Sequence, residues 1–137
     1  MSMKIINAKD CVVGRLASSV AKRLLSGEEI IIVNAEKSLY TGSPTHLKKK
    51  IEEKRSRGDP YHGPFYPRRA EKILRRTVRG MLPYHRSRGK NAFKRLKVYK
   101  SVPEVYKDQE AETIKEARYT SKCKFVYLED LCKKIGG

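Results

Sequence analysis

An α/β fold with a parallel sheet is predicted by three features of the N-terminal third. KIINA at 4–8 is short and β-branched, a helical pattern follows it, and EEIIIVNA at 28–35 holds a continuous apolar run. Strand, helix and strand in that order make a βαβ unit, and an unbroken apolar strand suits a sheet buried on both faces.

In the helix expected over Arg15 to Ser26, Leu16, Val20 and Leu24 recur at four-residue spacing beside the small Ala17 and Ala21, and Gly27 stands where a helix stops. Gly14 in front of it is a single glycine, too little to define a phosphate loop, and is read as structural. Ser43-Pro44 supplies an N-cap followed by proline at the first helical position, so a second helix is expected through LKKKIEEKRSR to Gly58. Its apolar stripe of Leu47 and Ile51 is thin, and its mixed lysines and glutamates read as a solvated, peripheral face. GDPYHGPFYP at 58–67 reads as an ordered loop between helices.

A third helix is expected from near Pro67 to Gly80. At one hundred degrees per residue, Ala70, Ile73, Leu74, Thr77 and Val78 share one face, while Arg68, Arg69, Lys72, Arg75, Arg76 and Arg79 group opposite. Gly80 then supplies a left-handed helix stop, and Met81-Leu82-Pro83 folds back on the apolar stripe, holding out YHRSRGK as an arginine-rich loop. A short helix around Ala92, Phe93 and Leu96 and a strand LKVY return the chain to the sheet. Beyond residue 100, KFVYL and EDLCKKIGG suggest a last strand and a terminal helix. The whole, 1–137, is of a length for one domain.

The charge is uneven. Residues 45–100 hold 19 lysines and arginines against 4 acids, whereas the stretches before and after carry 6 against 4 and 7 against 7. No Asp or Glu lies between Glu71 and Glu104. A solvated basic face ordinarily intersperses acids, so this excess points to a polyanionic partner, a nucleic acid or an anionic membrane surface. Arginine suits RNA because its planar fork binds phosphate oxygens in pairs and stacks on bases. Tyr61, Phe65, Tyr66, Tyr84 and Phe93 lie among the basic residues as candidate stacking partners, though for any one of them burial is the safer expectation.

Other functions are poorly served. No apolar run approaches the ~20 residues that span a bilayer, and MSMKIINAKD lacks the apolar segment of a signal peptide. A soluble, cytoplasmic protein with no membrane partner is expected. Cys11, Cys123 and Cys132 lack close pairing and are expected as reduced thiols; His46, His62 and His85 lack metal-ligand spacing. GMLPYHRSRGKN carries only the Gly89-Lys90 of a nucleotide-binding loop, with Asn91 in place of the Ser or Thr that would hold magnesium. No catalytic residues, metal, cofactor or small-molecule substrate are expected. Binding is favoured over catalysis; a stand-alone RNA-binding regulator and, behind it, a nucleic-acid-acting enzyme are the alternatives.

GRLAS at 14–18, VNAEK at 33–37 followed by TG at 41–42, VRGMLP at 78–83, Gly89-Lys90 six residues on, and LKVY at 96–99 together resemble the large-subunit ribosomal protein thirteen family, in order and spacing across about residues 4–100. The VRGMLP to LKVY block is the specific part. Ser101 and Val102-Pro103-Glu104 replace the glycine and the His-Pro segment usual in bacterial members, and with the LEDLCKKIG ending resemble the archaeal and eukaryotic branch.

The resemblance implies a three-layer fold, with a mainly parallel central sheet of about four strands and helices on both faces. It also implies a structural, non-catalytic role in the large ribosomal subunit. The implied partners are large-subunit ribosomal RNA and neighbouring large-subunit ribosomal proteins. Arg79, Gly80, Met81, Leu82, Pro83, Gly89 and Lys90 match the motif that the family places against RNA. With the helical-face argument, the expected RNA-binding set is Arg68, Arg69, Lys72, Arg75, Arg76, Arg79, Gly80, Tyr84, His85, Arg86, Arg88, Gly89, Lys90, Lys94 and Arg95.

Overall fold

The computed structural model describes residues 3–56, 61, 67, 69–119 and 124–134. β1 (Met3–Asn7), α1 (Val13–Leu25) and β2 (Glu29–Val33) form the expected unit, with β1 and β2 parallel and Ile5 opposite Ile31. β3 (Leu39–Thr41), α2 (Pro44–Ser56), α3 (Ala70–Gly80) and α4 (Ser87–Lys94) follow, then β4 (Leu96–Val98), β5 (Phe125–Tyr127) and α5 (Leu128–Lys134). β4 returns parallel to β2, giving the order β1-β2-β4.

The central sheet therefore has three strands, roughly consistent with the four or so expected. The KFVYL strand, β5, pairs antiparallel with β3 in a separate two-stranded ribbon, Tyr40 opposite Val126. The outer edge of β1 is already occupied: Glu112 donates its N–H to the Ile5 carbonyl at 2.8 Å and accepts from Asn7 N–H at 2.9 Å. That segment satisfies edge groups a fourth strand would otherwise take.

β2 explains its own apolar run. Ile30 and Ile32 face one way, into the main core with Ile6 and Leu96, where α1, α3 and α5 supply Leu16, Val20, Leu24, Ile73, Leu74, Leu128 and Leu131. Ile31 and Val33 face the other way, where with Ile5 they are covered by Tyr99, Val102 and Tyr106. Among the described residues this second cover is a loop with one 3-10 turn, Glu104–Tyr106, in place of an α-helix.

α1 begins two residues ahead of expectation, at Val13, and stops where expected. Gly27 adopts φ +101°, its N–H bonds Leu24 O, and Glu28 N–H reaches back to Arg23 O, the paired bonds that close a helix on a left-handed residue. Arg95 reinforces that end from outside, its Nη2 donating to Leu24 O at 2.6 Å. α2 keeps Ile51 buried and Leu47 half-buried and is otherwise polar, with Lys48 and Glu52 paired at 3.9 Å. The expected loop at 58–67 lies outside the described residues apart from Tyr61 and Pro67.

Cys11 and Cys132 are free and buried. Burial pushes both thiols up, Cys132 to about 11, so each stays neutral and unreactive at physiological pH. Cys123 lies outside the described residues.

Candidate nucleic-acid interface

α3 carries the charge. The helix starts at Ala70, with Arg69 as its extended N-cap, rather than near Pro67. Ala70, Ile73, Leu74 and Val78 are buried as the periodicity requires, and Thr77 is half-buried, its hydroxyl donating to Ile73 O at 2.9 Å. Arg69, Lys72 and Arg75 are exposed on the other side, with Arg76 and Arg79 half-exposed. One helix thus commits its apolar half to the sheet and holds its cations in solvent.

The turn after α3 departs from expectation. Gly80 is the last helical residue, and Met81 caps the helix in the right-handed region at φ −96°, so no left-handed glycine stop is used. Of the apolar triplet, only Leu82 enters the core, at 6% exposure; Met81 is 43% exposed and Pro83 is exposed. The anchor is one residue, because the chain turns sharply there: Leu82 N–H bonds Arg79 O, and Tyr84 N–H bonds Leu82 O at 2.8 Å.

Of the stretch expected to project as a loop, Tyr84, His85 and Arg86 stay in the turn, while residues 87–90 become the first half of α4. Gly89 is buried within it, and a Cβ added there would overlap the carbonyl carbon and oxygen of Pro83 and the backbone N of Tyr84. The same Pro83 carbonyl accepts Arg86 N–H at 3.0 Å. The glycine lets α4 lie directly on the turn, and a lone glycine inside a helical pattern was the available signal for such contact.

Between the two helices sits an alternation of rings and cations. Tyr84, from the turn, packs edge-to-face on Phe93, from α4, with centroids 5.6 Å apart. The Arg75 guanidinium lies 4.4 Å over the Phe93 ring and that of Arg79 lies 5.1 Å over the Tyr84 ring. These contacts restrain two arginines one helical turn apart before any partner arrives. Residues 75 and 93 are too far apart in sequence for periodicity to reveal their contact.

Residues 2–104 match the family described as ribosomal protein L13. The chain is 50% identical over 137 residues to the large ribosomal subunit protein uL13 of Methanosarcina barkeri, with 98% of each chain covered. It is 46% identical to that of Methanococcoides burtonii and 42% identical to that of Methanocaldococcus jannaschii, again over 98% of both chains. The chain belongs to the ribosomal protein L13 family. All three relatives are archaeal, in keeping with the branch its sequence resembles.

In this L13-family chain the expected site residues divide into three groups. Arg69, Lys72, Arg75, Tyr84, His85, Arg86, Arg88, Lys90 and Lys94 are exposed, and Gly80 is exposed beside them. Arg76 and Arg79 are half-exposed at the border. Gly89 and Arg95 are turned inward: Gly89 is buried, and the half-buried Arg95 is held at the end of α1. Arg68 lies outside the described residues. No helix among the described residues is long and apolar enough to cross a membrane.

Proposed function

We propose that this chain is a structural constituent of the large ribosomal subunit. On this reading it binds large-subunit ribosomal RNA through the exposed side of α3, the turn after it and α4, and so supports subunit assembly and translation. Its partners are that RNA and neighbouring large-subunit proteins, its place of action is the ribosome in the cytoplasm, and its role is non-catalytic. The whole chain acts as one domain, with the basic region at about 45–100 as its RNA-binding part.

One observation carries the reading. Between Glu71 and Glu104 the sequence has no acid, and Lys72, Arg75, Arg86, Arg88, Lys90, Lys94, Lys97 and Lys100 of that span are all exposed. Counter-charge of that density and regularity is what an RNA backbone offers. The contacting set is Arg69, Lys72, Arg75, Arg76, Arg79, Arg86, Arg88, Lys90 and Lys94, with Arg68 added from the sequence. Gly80, Tyr84 and His85 lie at the same surface, while Gly89 and Arg95 act by shaping it.

Binding of the purified protein to structured ribosomal RNA, measured across a salt series, tests the reading. With about six phosphate contacts, log K against log salt should fall with a slope of roughly −4, taking ~0.7 ions per contact. A flat line removes the phosphate-led interface. Retention on large subunits through a high-salt wash separates a ribosomal constituent from a stand-alone RNA-binding regulator.

A further inference from the structure

The turn between α3 and α4 borders a cavity of about 430 Å³ that is open to solvent and lined by Arg79, Gly80, Leu82, Pro83, Tyr84, His85 and Arg86. Four other cavities of about 250–460 Å³ lie between described residues, and each has at least one carboxylate in its wall: Glu36, Asp10, Glu112 or Glu71. The cavity at the turn has none. Its lining joins two arginines to flat or apolar groups, Tyr84, Pro83 and Leu82. A site for phosphate alone would need only the cations, and a site for an apolar side chain would not need them. A ligand that is anionic at one end and a flat ring at the other uses both.

We infer that this cavity receives a single unstacked nucleotide of RNA, its base against Tyr84 and Pro83 and its phosphate between Arg79 and Arg86. The inference rests on the RNA-binding reading and specifies what that surface selects. A double helix keeps its bases stacked and its deep groove closed to side chains, so a protein reads RNA bases mainly where one is free of the stack. Tyr84 is prepared for that contact. Its ring is held perpendicular to that of Phe93 and Arg79 lies over it, while 36% of the residue remains exposed. Leu82, buried at the turn, adds an apolar wall to the cavity.

The test compares three RNA hairpins of one sequence: fully paired, with one bulged nucleotide, and with an abasic residue at the bulge. The whole protein should bind the bulged hairpin roughly tenfold more tightly than the abasic one, the range expected of one base on an aromatic ring. Tyr84→Leu should bring that ratio close to one, and Tyr84→Phe should keep it. NMR shifts of the Leu82 methyl groups and the Tyr84 ring of the wild-type protein provide a readout independent of any variant. They should move with the bulged hairpin and not with the abasic one. Equal affinity for bulged and abasic hairpins, with unchanged shifts, would mean that the cavity meets phosphate alone and overturns the inference. Failure of the RNA-binding reading looks different, since no hairpin would then bind with salt dependence.

Discussion

α1 and α3 pack against each other on the same face of the sheet, and their buried sides are built alike. α1 buries Leu16, Ala17, Val20, Ala21 and Leu24; α3 buries Ala70, Ile73, Leu74 and Val78. Their outer sides differ. On α1, Arg23 donates both Nη1 and Nη2 to the Glu112 carboxylate at 3.2 and 3.1 Å, so this part of the chain supplies its own counter-charge. On α3, Arg75 and Arg79 have aromatic rings beneath them and come from a stretch with no acid before Glu104. The buried faces report the fold, and the outer face of α3, set in an acid-free stretch, is the one proposed to meet RNA.

If the buried sides are equivalent, they should break equally. Leu16→Ala and Leu74→Ala each remove a fully buried leucine and should each cost ~2–5 kcal/mol of unfolding free energy in urea titrations. A much smaller loss for Leu74 would mean that α3 is docked by its partner rather than by this core.

The outer sides should separate. Replacing Arg75, Arg76 and Arg79 together by Gln should weaken RNA binding on the order of a hundredfold at 0.1 M salt and move the salt slope by about +2, the change expected when three phosphates no longer meet a cation. Because Arg75 and Arg79 also rest on Phe93 and Tyr84, a small loss of stability should accompany it, ~0.5–1 kcal/mol for each ring contact. Arg15→Gln, on the exposed outer side of α1, should leave the slope where it was. An equal change from either helix would erase the distinction between them.

Gly89→Ala sharpens the comparison at the join between α3 and α4. The added methyl meets backbone on the facing turn rather than a side-chain end that could swing away, so the variant should lose ~1–3 kcal/mol. Hydrogen exchange should rise first in residues 82–94, before α1 is affected. Undisturbed exchange there would show that α4 does not depend on this close approach.

The same contrast explains what the sequence made legible. The βαβ unit, the apolar stripe of α3 and the stop at Gly27 are local patterns, set by residues a few positions apart, and each was readable. The pairing of β3 with β5 was not: two three-residue strands 86 positions apart, Leu39 to Phe125, carry no periodicity of their own. Nor was the inward turn of Arg95, which depends on the C-terminal carbonyl of Leu24, 71 residues away. Gly80 and Gly89 look interchangeable in sequence as helix stop and loop glycine. Only the fold shows that Gly80 meets open space while Gly89 meets the Pro83 backbone. For the site, the cations of α3 were evident from helical spacing, but their placement over Tyr84 and Phe93 required α4 to be folded beside them.

The smallest expected effect concerns the answered charge on α1. Hydrogen bonding from Arg23, ahead of any other influence, lowers the Glu112 carboxyl below its usual range, and the same bond raises Arg23. A carboxyl whose folded value is depressed contributes stability that is complete above its unfolded value, ~4.3, and is lost as pH falls through the folded value. Arg23 stays charged throughout that window, so the loss follows Glu112 alone. The two side chains remain 32% and 47% exposed, and solvent screening keeps the pair to ~0.2–1 kcal/mol. Glu112→Gln should therefore lower stability slightly at pH 7 in low salt, and the gap from wild type should close as pH drops below about 4. The backbone bonds from residue 112 to Ile5 and Asn7 survive the substitution, so they cannot generate the pH dependence. A gap that persists unchanged into acid would assign residue 112 to closing the β1 edge alone.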